Sequence, residues 1–309
     1  MDKKVVVIGA SNLDVKGRSV TKTFSRTKNP GKVELSAGGV GRNVAENIAR
    51  LGIPSLLLSA VGSEGFSDII LNSAKQAGVD TSRVLRTNSG SGIFLAIINT
   101  RGELDASISD MSALNKITPE YILDNSDALN GANYMILDAD IPESTLALCL
   151  SLAKDRKIPV CIEPVSPAKA HSLTDYLADI DMTTPNREEL EAMVNRTLSS
   201  EDDIRQAGNE LLDKGVNYVV ITLGAEGVYC VSKDYNGFIP SIRTMVVNSV
   251  GAGDALTAGV VSGFLRDMSF EDSIKLGIAS ATITITEDGA VSSNLTLPKV
   301  MEMMNKIHC

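Results

Sequence analysis

Four short β-branched runs, VVVIGA (5–10), YMILDA (134–139), PVCIEPV (159–165) and YVVITLG (218–224), each give way to a stretch of helix-like sequence. Near-continuous apolar strands alternating with helices bury both strand faces, so they predict an α/β body built on a parallel-rich sheet flanked by helices. Val44, Ile48 and Leu51 follow helical spacing, and Gly52 then Pro54 supply a stop, so residues 38–52 read as a glycine turn opening a helix. A chain of 309 residues that is 43 % hydrophobic can fill such a core, and residues 1–309 are expected to form one domain.

Two stretches break the alternation. The first, about 15–36, carries the turn-like NPGK (29–32) followed by VELS; the second, about 91–109, reads as two strands joined around Asn99–Gly102. They predict a small antiparallel β sheet inserted as a lid, the alternative being an extension of the main sheet. Polar residues gather where apolar strands end: Asn12 and Asp14 after the first, Glu163 and Ser166 after the third, Thr222 and Gly224 after the fourth. Ligands of open α/β sheets bind outside the carboxyl ends of the strands, so these segments are expected to face one cleft.

Composition narrows the chemistry. A net charge of −9 without long basic runs excludes a nucleic-acid or anionic-membrane surface as the expected partner. The apolar run in MDKKVVVIGASNLD is too short for a signal peptide, and no segment has the roughly 18 apolar residues of a membrane span. Cysteines at 149, 161, 230 and 309 show neither knuckle spacing nor disulfide density, which fits the cytoplasm. With only His171 and His308, acid/base work is expected of carboxylates.

NSVGAGDALTAG (248–259) is the densest candidate. Gly251, Ala252 and Gly253 let consecutive N–H groups converge, and a helix follows with Leu256, Val260 and Phe264 on one face; its N-terminus would attract an anion. Asp254 could take the proton of an attacking alcohol, or could simply cap a helix behind a packing turn. Neither a G-x-x-x-x-G-K-[ST] loop nor a G-x-G-x-x-G after the first strand is present, which disfavours P-loop kinases and dinucleotide dehydrogenases. Gly38-Gly39-Val40-Gly41-Arg42-Asn43 opens another helix and fits either tight packing or a backbone approach to a ligand.

SAGGVGRNVA (36–45) and NSVGAGDALTAG, in that order, with TPNREEL (184–190) and TLGAEG (222–227) between them, resemble the signature regions of the ribokinase-like (PfkB) carbohydrate and nucleoside kinases. The resemblance covers essentially the whole chain. It implies Asp254 as general base, with the backbone of Gly251, Ala252 and Gly253 around the transferring phosphoryl group. It further implies Asn12, Asp14, Gly38, Gly39 and Asn43 on the sugar hydroxyls, and Thr222, Gly224 and Gly227 along ATP. Asn186 and Glu189 would act on Mg2+ through its waters, and the lid would clasp a second copy into a homodimer. Asn248 and Val250 depart from members activated by a monovalent cation, which carry Asp and Thr there, and leave that requirement open.

GASNLDVKGR (9–18), NPGKVELSAGGVGRN (29–43), SAVGSEG (59–65), EPVSPAK (163–169) and NSVGAGDA (248–255) are similar to pseudouridine kinases within the family. That implies transfer from ATP to the 5′-hydroxyl of pseudouridine. Other nucleoside or sugar kinases, or a catalytically silent nucleoside-binding protein, are the alternatives. Pseudouracil has an additional ring N–H, for which Asp110 and Ser109 are candidate acceptors, with a solvated turn-forming acid as the other reading of Asp110. Arg18, Lys32 and Arg42 are expected at the solvated surface, the alternative being an approach to anionic substrate groups, and Asn294 is a positional candidate for the adenine side.

Overall fold

The computed structural model describes residues 3–22, 26–63, 65–101 and 103–307. His308, Cys309, Gly102, Glu64 and part of the 15–36 stretch lie outside the described residues. The chain runs through β1 (Val5–Ile8), β2 (Asn12–Ser19), β3 (Gly31–Gly38), α1 (Val40–Arg50), β4 (Ser55–Leu58), β5 (Ala60–Gly62) and α2 (Phe66–Gln76). It continues as β6 (Leu85–Thr87), β7 (Gly92–Ile98), β8 (Leu104–Asp110), α3 (Pro119–Asp124), β9 (Tyr134–Asp138), α4 (Glu143–Arg156), β10 (Val160–Glu163) and α5 (Pro167–Ser172). The last third holds β11 (Met182–Thr183), α6 (Arg187–Val194), α7 (Glu201–Asp213), β12 (Tyr218–Thr222), β13 (Gly227–Ser232), β14 (Asn236–Pro240), α8 (Ala252–Phe264), α9 (Phe270–Ile285) and α10 (Leu297–Met304).

The main sheet has eight strands in the order β14-β13-β12-β11-β10-β9-β1-β4. It is parallel from β12 to β4, and β13 and β14 add an antiparallel edge. Alternate residues of β1 feed opposite cores: Val6 and Ile8 pack with Leu137, Leu146 and Ile162, whereas Val5 and Val7 pack with Val44, Ile48 and Val260. Both strand faces are therefore dry, which accounts for the unbroken apolar runs. No helix among the described residues is long and apolar enough to cross a membrane.

The lid is a separate four-stranded sheet, β3-β2-β7-β8. Its outer ladders, β2–β3 and β7–β8, are antiparallel as expected, while the seam between β2 and β7 is parallel. The seam joins hairpins that leave the body at different points, and parallel neighbours need such a crossover between them. Because side chains alternate, directly paired residues share a face. Asp14, Ser36, Phe94 and Ser109 lie on one face, and Val33, Leu35, Val15, Leu95, Ile97 and Ile108 on the other.

Candidate active site

The ends of β1, β9 and β10 and the N-terminal half of α8 bring polar residues together at the carboxyl edge of the main sheet. On α8, Gly251 is the N-cap in a left-handed conformation (φ 80°). Any side chain there would overlap the Ala290 carbonyl, whereas Gly253 faces open space. Ala252, Gly253 and Asp254 occupy the first turn, where N–H groups have no preceding helix carbonyl and the helix dipole favours negative charge. Asp254 is thus a first-turn residue with the cap position filled by Gly251.

Asn43, on the first turn of α1, donates its Nδ2 to Asp254 Oδ2 at 2.7 Å. This bond joins the two glycine segments, and it leaves Asn43 Oδ1 buried without a protein partner. Burial pushes Asp254 up to about 6, with the Asn43 bond and Arg42 pulling down and Asp14 pushing up. It is therefore largely ionised at neutral pH and still basic enough to take a proton. Asp14 accepts from Asn12 Nδ2 at 2.7 Å, and burial raises it. Gly38 packs directly against that carboxylate, leaving no room for a Cβ. Gly39 turns with φ 97° against the Ala10 carbonyl, so the glycine pair serves packing as well as lining the approach to Asp14.

Two further buried acids stand beside these residues: Glu163, expected at the cleft from its place at a strand end but given no role, and Asp138, which the sequence reading missed. Asp138, at the end of β9, accepts from the N–H groups of Ala10 and Asp140, both at 2.8 Å, and burial lifts it to about 7. Glu163, at the end of β10, accepts from Thr184 at 2.9 Å, and Thr184 in turn from Thr257 of α8 at 3.0 Å. Burial and the Asp254 charge push Glu163 well above the carboxylate range, and its Oε1 has no protein partner. The available signal was positional: both acids close strands whose carboxyl ends define the cleft. Just beyond Glu163, Ser166 N–H bonds back to Pro164 O at 2.7 Å around Val165, whose φ of 66° is strained for a β-branched residue.

Other expected residues separate. Asn186 caps α6 in a reciprocal box with Glu189: Glu189 N–H to Asn186 Oδ1 and Asn186 N–H to Glu189 Oε2, each 2.9 Å. Burial raises Glu189. Thr222 ends β12 and its N–H donates to Pro185 O at 2.9 Å, so it, Gly224 and Asn186 line one open groove of about 380 Å³; Gly227 begins β13 behind it. Asp110 pairs with Ile93, which pairs with Leu13, one residue out of phase with Asp14, so it lies on the opposite lid face. It is exposed and accepts from Ser112 N–H at 3.0 Å, the turn-forming alternative; Ser109 shares the Asp14 face. Phe94, paired with both Asp14 and Ser109, was missed.

Arg42 is a correction: expected at the surface, it is 2 % exposed and paired with Glu46. Arg18 and Lys32 do stay at the surface. Asn248 folds its Oδ1 onto the Val250 N–H at 3.1 Å. Asn294 is engaged by Glu287 and by Lys299. Among the described residues no group of three or more His, Cys, Asp or Glu is arranged to hold a metal directly.

The site thus sets an aspartate in the first turn of a helix near a second buried carboxylate carried on the lid strand β2. The pfkB family carbohydrate kinase model matches residues 2–297, and the chain belongs to that family of phosphotransferases with an alcohol acceptor. It is similar to pseudouridine kinase of Escherichia coli K12, 32 % identical over 307 residues, covering 99 % of this chain and 97 % of the relative. It is also similar to ribokinase of Haemophilus influenzae, 30 % identical over 98 % of this chain and 99 % of the relative. Arabidopsis thaliana ribokinase complexed with ribose and ATP superposes with a TM-score of 0.87 at 23 % identity, over 98 % and 99 % of the two chains, so the fold is ribokinase-like.

Proposed function

We propose that the protein transfers the γ-phosphoryl group of ATP to the 5′-hydroxyl of pseudouridine, giving pseudouridine 5′-phosphate. The observation that carries this reading is the Asn43–Asp254 bond at the mouth of α8, together with the likeness to the E. coli pseudouridine kinase. Asp254 takes the hydroxyl proton as the oxygen attacks phosphorus and the bond to ADP breaks. The N–H groups of Ala252, Gly253 and Asp254 receive the charge that develops on the phosphoryl oxygens. Asp14, supported by Asn12 and backed by Gly38 and Gly39, accepts from the vicinal ribose hydroxyls.

Gly253 leaves room for a phosphate against the helix end, and the groove beside Thr222, Gly224 and Gly227 suits the rest of ATP. Mg2+ fits this donor set as an ion held mainly by phosphate and water, with Asn186 and Glu189 acting through that water; its chemistry is neutralisation of phosphate charge. Phe94 and Ser109 beside Asp14 offer a ring face and a hydroxyl acceptor for the base, so Ser109 replaces Asp110 as the reader of the additional N–H. The apolar outer face of the lid, with Val33 71 % and Ile108 68 % exposed, is the surface through which two copies would pair. Sedimentation of wild type against Ile108→Lys tests this, and a wild type that stays monomeric at micromolar concentration would sink it.

ATP consumption measured with pseudouridine, uridine, adenosine, ribose and fructose tests the substrate. Pseudouridine is expected to give the highest kcat/KM, and a clear preference for ribose would overturn the assignment. Asp254→Asn should keep the fold and nucleoside binding while lowering kcat by about 10²- to 10⁴-fold.

A further inference from the structure

Arg42 lies where three pieces of the molecule meet. Its Nη2 donates to Ala37 O at 2.5 Å and its Nε to Gly38 O at 3.4 Å, the last two residues of lid strand β3. Its Nη1 donates to Glu46 Oε2 at 2.5 Å, one turn along α1. Glu46 is itself 1 % exposed and also accepts from Arg50 Nη2 at 2.7 Å and from Ser73 Oγ of α2 at 2.9 Å. The neighbouring residue on α1, Asn43, holds Asp254, and Gly38 packs on Asp14. A buried ion pair is seldom a net source of stability, since apolar replacements of similar volume often do as well. A fork that ties strand-end carbonyls to a helix instead fixes geometry.

We infer that Arg42 is a positioning residue: braced by Glu46, it clamps the root of the lid to α1 and so fixes the spacing between the diol acceptor Asp14 and the base Asp254. The inference rests on Asp254 being the base. A small shift of the lid root would move the sugar relative to the base, and sub-ångström placement governs rate. Arg42 has a second effect through charge. Asp254 is faced by Arg42 and Asn43 from α1, Asp14 from β2, Asp138 from β9 and Glu163 from β10. Arg42 is the cation in that set, and it lowers the pH at which the base is ready.

Two variants of the full chain separate these effects, assayed with ATP and the acceptor that wild type turns over best. Arg42→Met/Glu46→Leu removes both buried charges together. Its kcat should fall about 10- to 100-fold, and the acid limb of its pH profile should move upward by about one unit. Arg42→Lys keeps the charge but not the fork: kcat should fall while the acid limb stays in place. In both, the Ala37 and Gly38 region should exchange amide hydrogens faster than in wild type. A merely structural role would lower the folded fraction without moving the acid limb. Wild-type kcat in folded Arg42→Lys overturns the clamp, and an unmoved acid limb in the folded double variant overturns the charge effect. If the double variant does not fold, Arg42→Lys alone decides. Full turnover in Asp254→Asn would instead sink the base assignment, whatever the Arg42 variants do.

Discussion

Gly251 and Gly253, one alanine apart, answer to different demands. Gly251 is fixed by the protein, through a left-handed backbone and contact with the Ala290 carbonyl, so Gly251→Ala should destabilise by at least about 2 kcal/mol in urea denaturation. Gly253 is free of any neighbour that would forbid a side chain, and alanine there should gain about 0.5–1 kcal/mol as a better helix former. If Gly253 is open for a phosphoryl group, Gly253→Ala should nonetheless lose turnover; full activity would remove the anion hole from that position. The two readings that the glycine string left open therefore fall to separate residues, the packing turn to Gly251 and the proposed anion hole to Gly253, and spacing alone had no means of dividing them. Asp254 makes a further residue-scale prediction. A general base works ionised, so kcat/KM should fall as pH drops through about 6. Because its folded value lies above that of an unfolded aspartate, the native state binds the proton more tightly and this group favours folding as pH falls toward 4. Asp254→Asn should accordingly raise Tm more at pH 8 than at pH 5.

Among the elements, α6 shows why a motif can be legible and its meaning not. Asn186 and Glu189 close a capping box, so an Asn186→Ala variant should lose about 1 kcal/mol of stability whether or not it touches catalysis. Glu189→Gln preserves the box chemistry, and its unfolding midpoint should stay near wild type. A drop in its turnover that added magnesium partly restores would tie Glu189 to the ion, while unchanged kinetics would leave only the cap. The lid strands were readable from turn signals and alternation, but the face each residue occupies depends on register. A period of two means that one position separates Ser109 on the Asp14 side from Asp110 on the other. The burial of Asp138 and Glu163 was hidden for a related reason: both end apolar runs, and burial of a carboxylate shows only once neighbouring strands are in place. Arg42 looked like surface charge because its partner, Glu46, is a turn away on a helix whose polar stripe turns out to face α2 and the lid.

At the scale of the whole molecule, the parallel body followed from the apolar runs, whereas β11, two residues long, carried too little pattern to be seen. The lid seam is the feature no local signal could carry, since β2 and β7 meet across the intervening β3, α1, β4, β5, α2 and β6. Amide exchange should show β2, β3, β7 and β8 opening as one cooperative unit rather than hairpin by hairpin; independent opening of the second hairpin would argue that the seam is weak. The same seam sets a rule for exchanging parts among relatives. Each half of the lid places residues on the Asp14 face, yet neither half makes the four-stranded sheet alone, so a graft of one hairpin imports a new face together with a mismatched inner edge. Acceptor preference in this architecture is thus expected to be inherited and re-engineered in matched pairs of segments, with the seam acting as the compatibility test between them.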